Sequence, residues 1–542
     1  MGGGLFQLVA TGAQDIYLTG NPQITYFKAI TKRHTNFSVE SIENGFNSSA
    51  TFGGKSTALI NRSGDMLSKM YIRLVVSGGS ASGDQKWAWI RNLGHFIIKS
   101  LRLSIGGQEI DYHVSDWTHL WHTLSHSQFH ERGYDEMIGN TAELTTLAAS
   151  HKQAVLYIPL NFFFCRHIGQ SLPLIALQYH EVQLDVEFEQ LEKLIVTSGF
   201  STAAPGSELG LQMKDATMFC DYVFLDTDER RRFAQTSHEM LIEQTQFTGA
   251  LSAPTSLNRI DLDFNHPTKE MLWVLHNGRF VNDAGAYKYL WYHPTDVDTM
   301  RLVASKRFVL ALAKYDGNGA LMLNDSLVIP ADDLPDDLLE MFERVQAGAI
   351  TTVPGGVVAP PYIDNVAILG ESLTLEEISL PVTDVFASLA TTPGAPARAT
   401  VGHGASTLDV VVRMPDNYGM YLDGSVNPML RAVLQLNGHD RFQERDAAYF
   451  NYIQPLQHHK NTPPDGVNAY SFAVYPESLQ PSGSLNFSRI DSATLAVTLG
   501  SSSMSTSDFQ KYVLRDSYFT LFAFSYNVLR VMSGMCGLAF SN

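Results

Sequence analysis

"LRLSIGGQEIDY" (Leu101–Tyr112) and "AVLQLNGHDRFQ" (Ala432–Gln443) are the two stretches on which the fold turns. Each reads as a strand, a tight glycine turn and a polar restart, with Gly107 matching Gly438. Three more matches follow in the same order. "VLYIPL" (Val155–Leu160) resembles "SFAVYPE" (Ser471–Glu477), with Pro159 matching Pro476. "YHEVQLDVEF" (Tyr179–Phe188) resembles "IDSATLAVTL" (Ile490–Leu499), and "DYVFLDTDERRRF" (Asp221–Phe233) resembles "LFAFSYNVLRVMS" (Leu521–Ser533), with Phe224 matching Phe524. Each pair alone is a weak signal. Four in one order indicate a duplicated unit whose loops differ in length.

The rest of the chain repeats the same grammar. In Asn44–Val76 a polar stretch rich in Gly, Ser, Asn and Thr feeds a strand in which Met70, Ile72, Leu74 and Val76 alternate with Tyr71, Arg73 and Val75. "RIDLDF" (Arg259–Phe264) and "MLWVLH" (Met271–His276) are short apolar runs bounded by turn residues. From about 298 to 408 the texture changes to Gly/Pro/Ala-rich loops such as "VPGGVVAPPY". There "PADDLPDDLLEMFERVQAG" carries early carboxylates and a late Gly348, as a short capped helix would. These features predict an all-β chain of two tandem eight-stranded sandwiches, each a jelly roll, with short helices and a long loop insertion in the second. The expected divisions are an N-terminal arm at 1–25, a first jelly roll at 26–235, and a second at 236–542 with its insertion at about 298–408. The arm is broken by Gly12, Gly20 and Pro22 and is too irregular for a sandwich strand.

Composition narrows the function. The chain of 542 residues is 44% hydrophobic and 17% charged, with 30 Phe, 22 Tyr and 6 Trp, which suits a large buried β core. A net charge of −17 argues against direct nucleic-acid packaging. The basic clusters Lys32-Arg33-His34 and Arg230-Arg231-Arg232 are short and read as surface ion-pairing groups. Cys165, Cys220 and Cys536 sit in apolar surroundings without metal-type or disulfide spacing. No apolar stretch is long enough for a membrane-spanning helix, no signal peptide is read at the start, and Phe6 breaks the myristoylation pattern that Gly2 opens.

No pattern for a catalytic site is found. G-x-S-x-G, the P-loop and a strand-following G-x-G-x-x-G are absent. "KYDGNG" (Lys314–Gly319) lacks the acidic spacing of a calcium loop and reads as a tight turn. The sharpest candidate is "DWTHLWHTLSHSQFHERGYDE" (Asp116–Glu136), where His119, His122, His126 and His130 share one face of a helix. Neutral imidazoles in that array could bind zinc, copper or nickel. Yet no Cys or carboxylate completes the set, and Leu120, Trp121 and Leu124 supply the face of a helix packed on a sheet. A polar histidine stripe at a subunit surface is therefore preferred, with no metal and no cofactor. Asn36, Asn47, Asn61, Asn324 and Asn486 fit N-x-[ST] and are candidate glycosylation sites, for which a dedicated cytosolic enzyme would be needed. A carbohydrate-binding sandwich, with Trp87 and Trp89 stacking on sugar, stands as the alternative.

The ends of the chain carry a resemblance. "GGLFQLVATGAQDIYLTGNPQITYFKAITKRHTNFSVESIE" (Gly3–Glu43), "IRNLGHFIIKSLRLSIGGQEID" (Ile90–Asp111), "LQPSGSLNFSRIDSATL" (Leu479–Leu495) and "FAFSYNVLRVMSGMCGLAFSN" (Phe522–Asn542) resemble major capsid proteins of nucleocytoplasmic large DNA viruses, the giant and algal viruses. The resemblance is poorest over 298–408. It implies a double jelly roll and a non-enzymatic major capsid protein that forms a homotrimer, a pseudo-hexagonal capsomer of an icosahedral virion. It implies neighbouring capsomers, minor capsid and penton proteins as partners, assembly in the host cytoplasm, an outward tower from 298–408, and an N-terminal arm at the inner side near minor capsid proteins or the internal membrane. A same-fold scaffold or minor capsid protein is a further alternative.

Overall fold

The computed structural model describes residues 3–277 and 418–540, apart from 84, 127–129, 146–147, 199–204, 421–425, 501–505 and 515, with only short strands described between 291 and 411. The first sandwich contains β1 (Phe37–Gly45), β2 (Lys55–Leu59), β3 (Met66–Val76), β4 (Ile98–Ile105), β5 (Gln108–Val114), β6 (Ala154–Pro159), β7 (Val182–Phe188) and β8 (Met213–Leu225). The second contains β9 (His238–Ser252), β10 (Leu257–Asp261), β11 (Pro267–His276), β12 (Met429–Leu436), β13 (His439–Asp440), β14 (Val467–Ser471), β15 (Ala493–Leu499) and β16 (Tyr518–Met532).

The first sandwich has sheets in the order β1-β8-β3-β6 and β2-β7-β4-β5; the second has β9-β16-β11-β14 and β10-β15-β12-β13. Adding eight to each number of the first sandwich gives the second. The chain is thus a double jelly roll in which one Greek-key topology is used twice.

Period-2 alternation builds the core. In β7, Val182, Leu184, Val186 and Phe188 are buried while Gln183, Asp185 and Glu187 lie on the other face, and β15 follows the same pattern. These side chains meet Ile72 and Leu74 of β3 and Leu101 and Leu103 of β4 in one apolar cluster. The hairpin β4–β5 turns on Gly106 and Gly107, at φ 59° and 82°, and β12–β13 on Asn437 and Gly438, at φ 49° and 78°. Two successive positive φ values suit a two-residue turn that matches strand twist. At Gly106 a Cβ would also stand 2.4 Å from the His180 ring.

Three of the four sequence matches fall on equivalent strands: the hairpins β4–β5 and β12–β13, then β7 with β15 and β8 with β16. The fourth does not. "VLYIPL" is β6, but "SFAVYPE" starts on the last residue of β14 and continues as loop. The prolines misaligned the pair: Pro159 closes a strand, whereas Pro476 lies beyond one and offers its carbonyl to Lys269 Nζ at 2.7 Å.

The structure adds detail to the other expectations. The arm has short helices at Gly3–Val9 and Ile16–Thr19, and the first sandwich strand starts at Phe37. The insertion holds short strand pairs as well as loops, among them Thr351–Val353 with Val357–Ala359. Its last strand, Ser406–Val411, pairs with Ile195–Ser198 of the first sandwich. The capped helix expected within 330–348 and most of "KYDGNG" lie outside the described residues.

Candidate functional site

The structure's most built-up region is the junction between the sandwiches. Between β5 and β6 the chain forms α1 (Ser115–Ser125) and α2 (Glu131–Ile138). Leu120, Trp121 and Leu124 of α1 lie on one face, as the sequence suggests, and Trp117 joins them, but the sheet beneath belongs to the other sandwich. They pack on Leu272 and Val274 of β11, Val467 and Ala469 of β14, and Phe522 and Phe524 of β16. β11 and β16 are consequently buried on both faces over most of their length. Each large apolar side chain so covered contributes about 1.5–3 kcal/mol.

Polar groups fix the angle at which the sandwiches meet. Asp111 Oδ1 accepts the Thr245 N–H at 3.0 Å, and Gln244 donates from its side chain to the Ile110 carbonyl. Arg166 of the first sandwich donates to the Glu243 carboxylate on β9, which also binds Lys269 Nζ at 2.6 Å. The Arg166 guanidinium lies 4.5 Å from the Trp121 ring centroid, a cation–π contact. Beside it His459 bridges Glu270, at 3.0 Å, and Glu477, at 3.2 Å. Burial pulls the Lys269 ammonium down, and Glu243 only partly opposes it. Burial also disfavours His459 as a cation, but Glu270 and Glu477 outweigh this and hold it up at about 9.

The histidines fall differently from the sequence expectation. Only His119 and His122 lie within α1; His126 caps its end and His130 precedes α2. The four therefore do not form one helical face, and His119 is buried rather than at the surface. The other centre of the group is His95, which the sequence reading missed. Its Nδ1 stands 3.4 Å from His119 Nδ1 and its Nε2 2.7 Å from Tyr134 Oη. His122 stacks on Tyr134 at 3.8 Å between ring centroids, and His126 lies 4.3 Å from His122. Burial pushes His95 well below the usual imidazole range, reinforced by the neighbouring imidazoles, and takes His122 down to about 3. Among the described residues, no three His, Cys, Asp or Glu side chains are grouped to hold a metal ion. Of His95 itself the sequence shows only a lone histidine in the run Gly94-His95-Phe96.

The other candidates scatter. Asn36, Asn47, Asn61 and Asn486 are all exposed, though Asn486 Oδ1 already accepts the Ser488 N–H; Asn324 lies outside the described residues. Trp87 and Trp89 are wholly buried, which removes them as a sugar-stacking platform. The three cysteines are free, and burial pushes each thiol up to about 12. Arg230 pairs with Asp65 at 2.9 Å on α3 (Thr227–Gln235), the connection between sandwiches. In the arm Leu5, Phe6, Leu8, Val9, Ile16, Tyr17, Leu18 and Ile24 are all exposed, as are Tyr26, Phe27 and Ile30 just after it. No helix among the described residues is long and apolar enough to cross a membrane.

Comparison with known proteins accounts for this architecture. Residues 25–226 match the family model "Major capsid protein N-terminus" and residues 229–537 match "Large eukaryotic DNA virus major capsid protein". The chain is 38% identical over 571 residues to the major capsid protein of Phaeocystis pouchetii virus, and 36% identical over 618 residues to capsid protein 1 of Acanthamoeba polyphaga mimivirus, with 100% of both chains covered in each case. Among solved structures, a quasi-atomic model of the PBCV-1 virus capsid matches with TM-score 0.59 and 28% identity, covering 96% of this chain and all of that one. The Faustovirus major capsid protein shares the fold at TM-score 0.55 and 12% identity, covering 96% of this chain and 94% of that one.

Proposed function

The chain belongs to the family of large eukaryotic DNA virus major capsid proteins, and from that premise we propose that it acts as a homotrimeric, pseudo-hexagonal capsomer. It is a structural major capsid protein, a constituent of the virion shell. The observation that carries the trimer reading is the repeated strand order. Three copies of a chain with two alike sandwiches present six alike units around one axis, and a six-sided outline tiles a flat icosahedral facet. Closed threefold symmetry needs only one heterologous contact, repeated around the ring, and many weak contacts between capsomers then add up.

In this reading the chain carries no enzymatic activity. Residues 26–235 and 236–542 are its two domains, and 298–408 contributes to an outward tower. The arm, with its uncovered apolar side chains, faces inward toward minor capsid proteins or an internal membrane. Neighbouring capsomers and penton proteins complete the contacts, and assembly takes place in the host cytoplasm. Size-exclusion chromatography with light scattering, followed by negative-stain imaging of the same peak, tests the proposal. A species of three 60.0 kDa chains with a six-sided outline is expected. A chain that stays monomeric at high concentration removes the trimer.

A further inference from the structure

We propose that the exposed face of sheet β1-β8-β3-β6 is the seat for the helical segment 449–458 of a second copy of this chain, repeating between copies the contact that α1 makes within one. The inference rests on the trimer reading above and names its contact.

The argument starts from equivalence. The segment consists of a π-helical turn, Tyr449–Ile453, continued by the helix Gln454–His458. It lies between β13 and β14, the fifth and sixth strands of its sandwich. α1 occupies the same place, between β5 and β6. α1 leaves the first sandwich and covers β11, β14 and β16 of the second. The strands equivalent to that seat are β3, β6 and β8 of the first sandwich.

The two seats differ in one respect. On the second sandwich the outer face is covered. On the first, β3 buries Ile72 and Leu74 in the core while Tyr71 and Arg73 stay partly open on the outer side. Tyr71 stacks on Phe219 of β8 with ring centroids 5.2 Å apart and leans on Tyr157 of β6 at 6.2 Å. Tyr157 and Val155 are 39% and 38% exposed, and no element among the described residues packs over them. Three ordered aromatic rings flanked by the Arg73–Asp215 ion pair, at 2.7 Å, form an apolar face with a polar rim.

The segment has the complementary character. Leu456 is 77% exposed, and Tyr452 and Ile453 are about half exposed beside it. Spacings of three and four residues place them on one side. The segment is already stiff: Tyr452 Oη meets Asp465 at 2.5 Å, His458 Nδ1 meets the Val474 carbonyl at 3.0 Å, and His459 is anchored by Glu270 and Glu477. A rigid apolar projection loses little entropy when it docks. It projects from the second sandwich and its seat lies on the first. The contact is therefore head-to-tail, and in a threefold ring three intrachain and three interchain contacts of one kind join six sandwiches.

The experiment compares the wild type with Leu456→Asp and, separately, Tyr157→Asp. Both positions are exposed in the single chain, so an unchanged near-UV spectrum of each variant confirms its fold. Light scattering over a concentration series is expected to show a wild-type trimer, and a trimer–monomer midpoint raised at least tenfold in each variant. A cryo-EM map of the wild-type trimer is expected to place residues 449–458 against Tyr71, Tyr157 and Phe219 of the neighbour. Variants that trimerise with unchanged midpoint, or a map with another segment or another protein on that face, overturn the contact while leaving the trimer standing. A monomeric wild type overturns the trimer reading itself.

Discussion

Asp111 on β5 of the first sandwich accepts the backbone N–H of Thr245 on β9 of the second at 3.0 Å, and its other oxygen takes His113 Nε2–H at 2.8 Å. The carboxylate is buried and also receives the Tyr112 N–H at 3.0 Å. Asp111→Ala would leave these three donors without an acceptor. We expect a loss of about 3 kcal/mol, with a smaller loss for Asp111→Asn, which keeps one carbonyl oxygen. Urea denaturation midpoints measure both, and equal stability of Asp111→Ala and wild type would remove this bond from the junction.

Glu243 serves two cations, Arg166 and the wholly buried Lys269. Glu243→Gln leaves both short of negative charge, at a cost of about 3–5 kcal/mol. In the double variant Glu243→Gln with Lys269→Met the uncompensated lysine is gone, and much of the loss should return. A double-mutant cycle reads the coupling; strictly additive losses would contradict it.

Trp121 joins the apolar seat to the ion network, since it packs on Phe524 with ring centroids 5.2 Å apart and lies beneath Arg166. Trp121→Ala should cost about 3–5 kcal/mol. Hydrogen exchange should rise in β11, β14 and β16 while β4 and β7 stay protected. Uniform acceleration across both sandwiches would instead indicate global destabilisation without a local opening.

Two groups of histidines give stability opposite slopes with pH. His95 and His122 are held neutral, so the folded state binds protons less readily than the unfolded chain. Their contribution is complete above the ordinary imidazole pKa of about 6.5 and fades as pH falls below it. His459 is lifted to about 9, so its contribution is complete below about 6.5 and is lost as pH rises through 9. A melting temperature that falls on both sides of neutrality is expected. His459→Gln should flatten the alkaline limb and leave the acid limb unchanged. If both limbs move together, the assignment is wrong.

The two tandem jelly rolls were legible because local signals agree with the fold: period-2 alternation, as in β7, and a glycine turn at the same place in both halves. The helical stripe of Leu120, Trp121 and Leu124 was also legible, but not Trp117's part in it or the sheet that receives it. That information lay in β16, where "YFTLFAFSY" (Tyr518–Tyr526) is apolar on both faces, the mark of a strand covered twice. His95 was out of reach because its partners come from separate elements, with His119 and Tyr134 at 24 and 39 residues' separation. The Asp111–Thr245 bond spans 134 residues and rests on groups common anywhere in a chain. The prolines show the opposite error, in which a shared residue type suggested a shared position that the backbone did not keep.

The placement of β16 bears on how the chain is made. α1 is synthesised about 400 residues before β16, and the surface that receives its tryptophans is finished only when Tyr518–Met532 has left the ribosome. Until then Trp117 and Trp121 have an incomplete seat, and β9 lacks the strand it pairs with. A nascent or prematurely terminated chain therefore exposes aromatic side chains and a long unpaired strand edge, features that promote aggregation and engage chaperones. A chain that stops before β16 cannot hide them, so burial of the α1 tryptophans is tied to the presence of that strand.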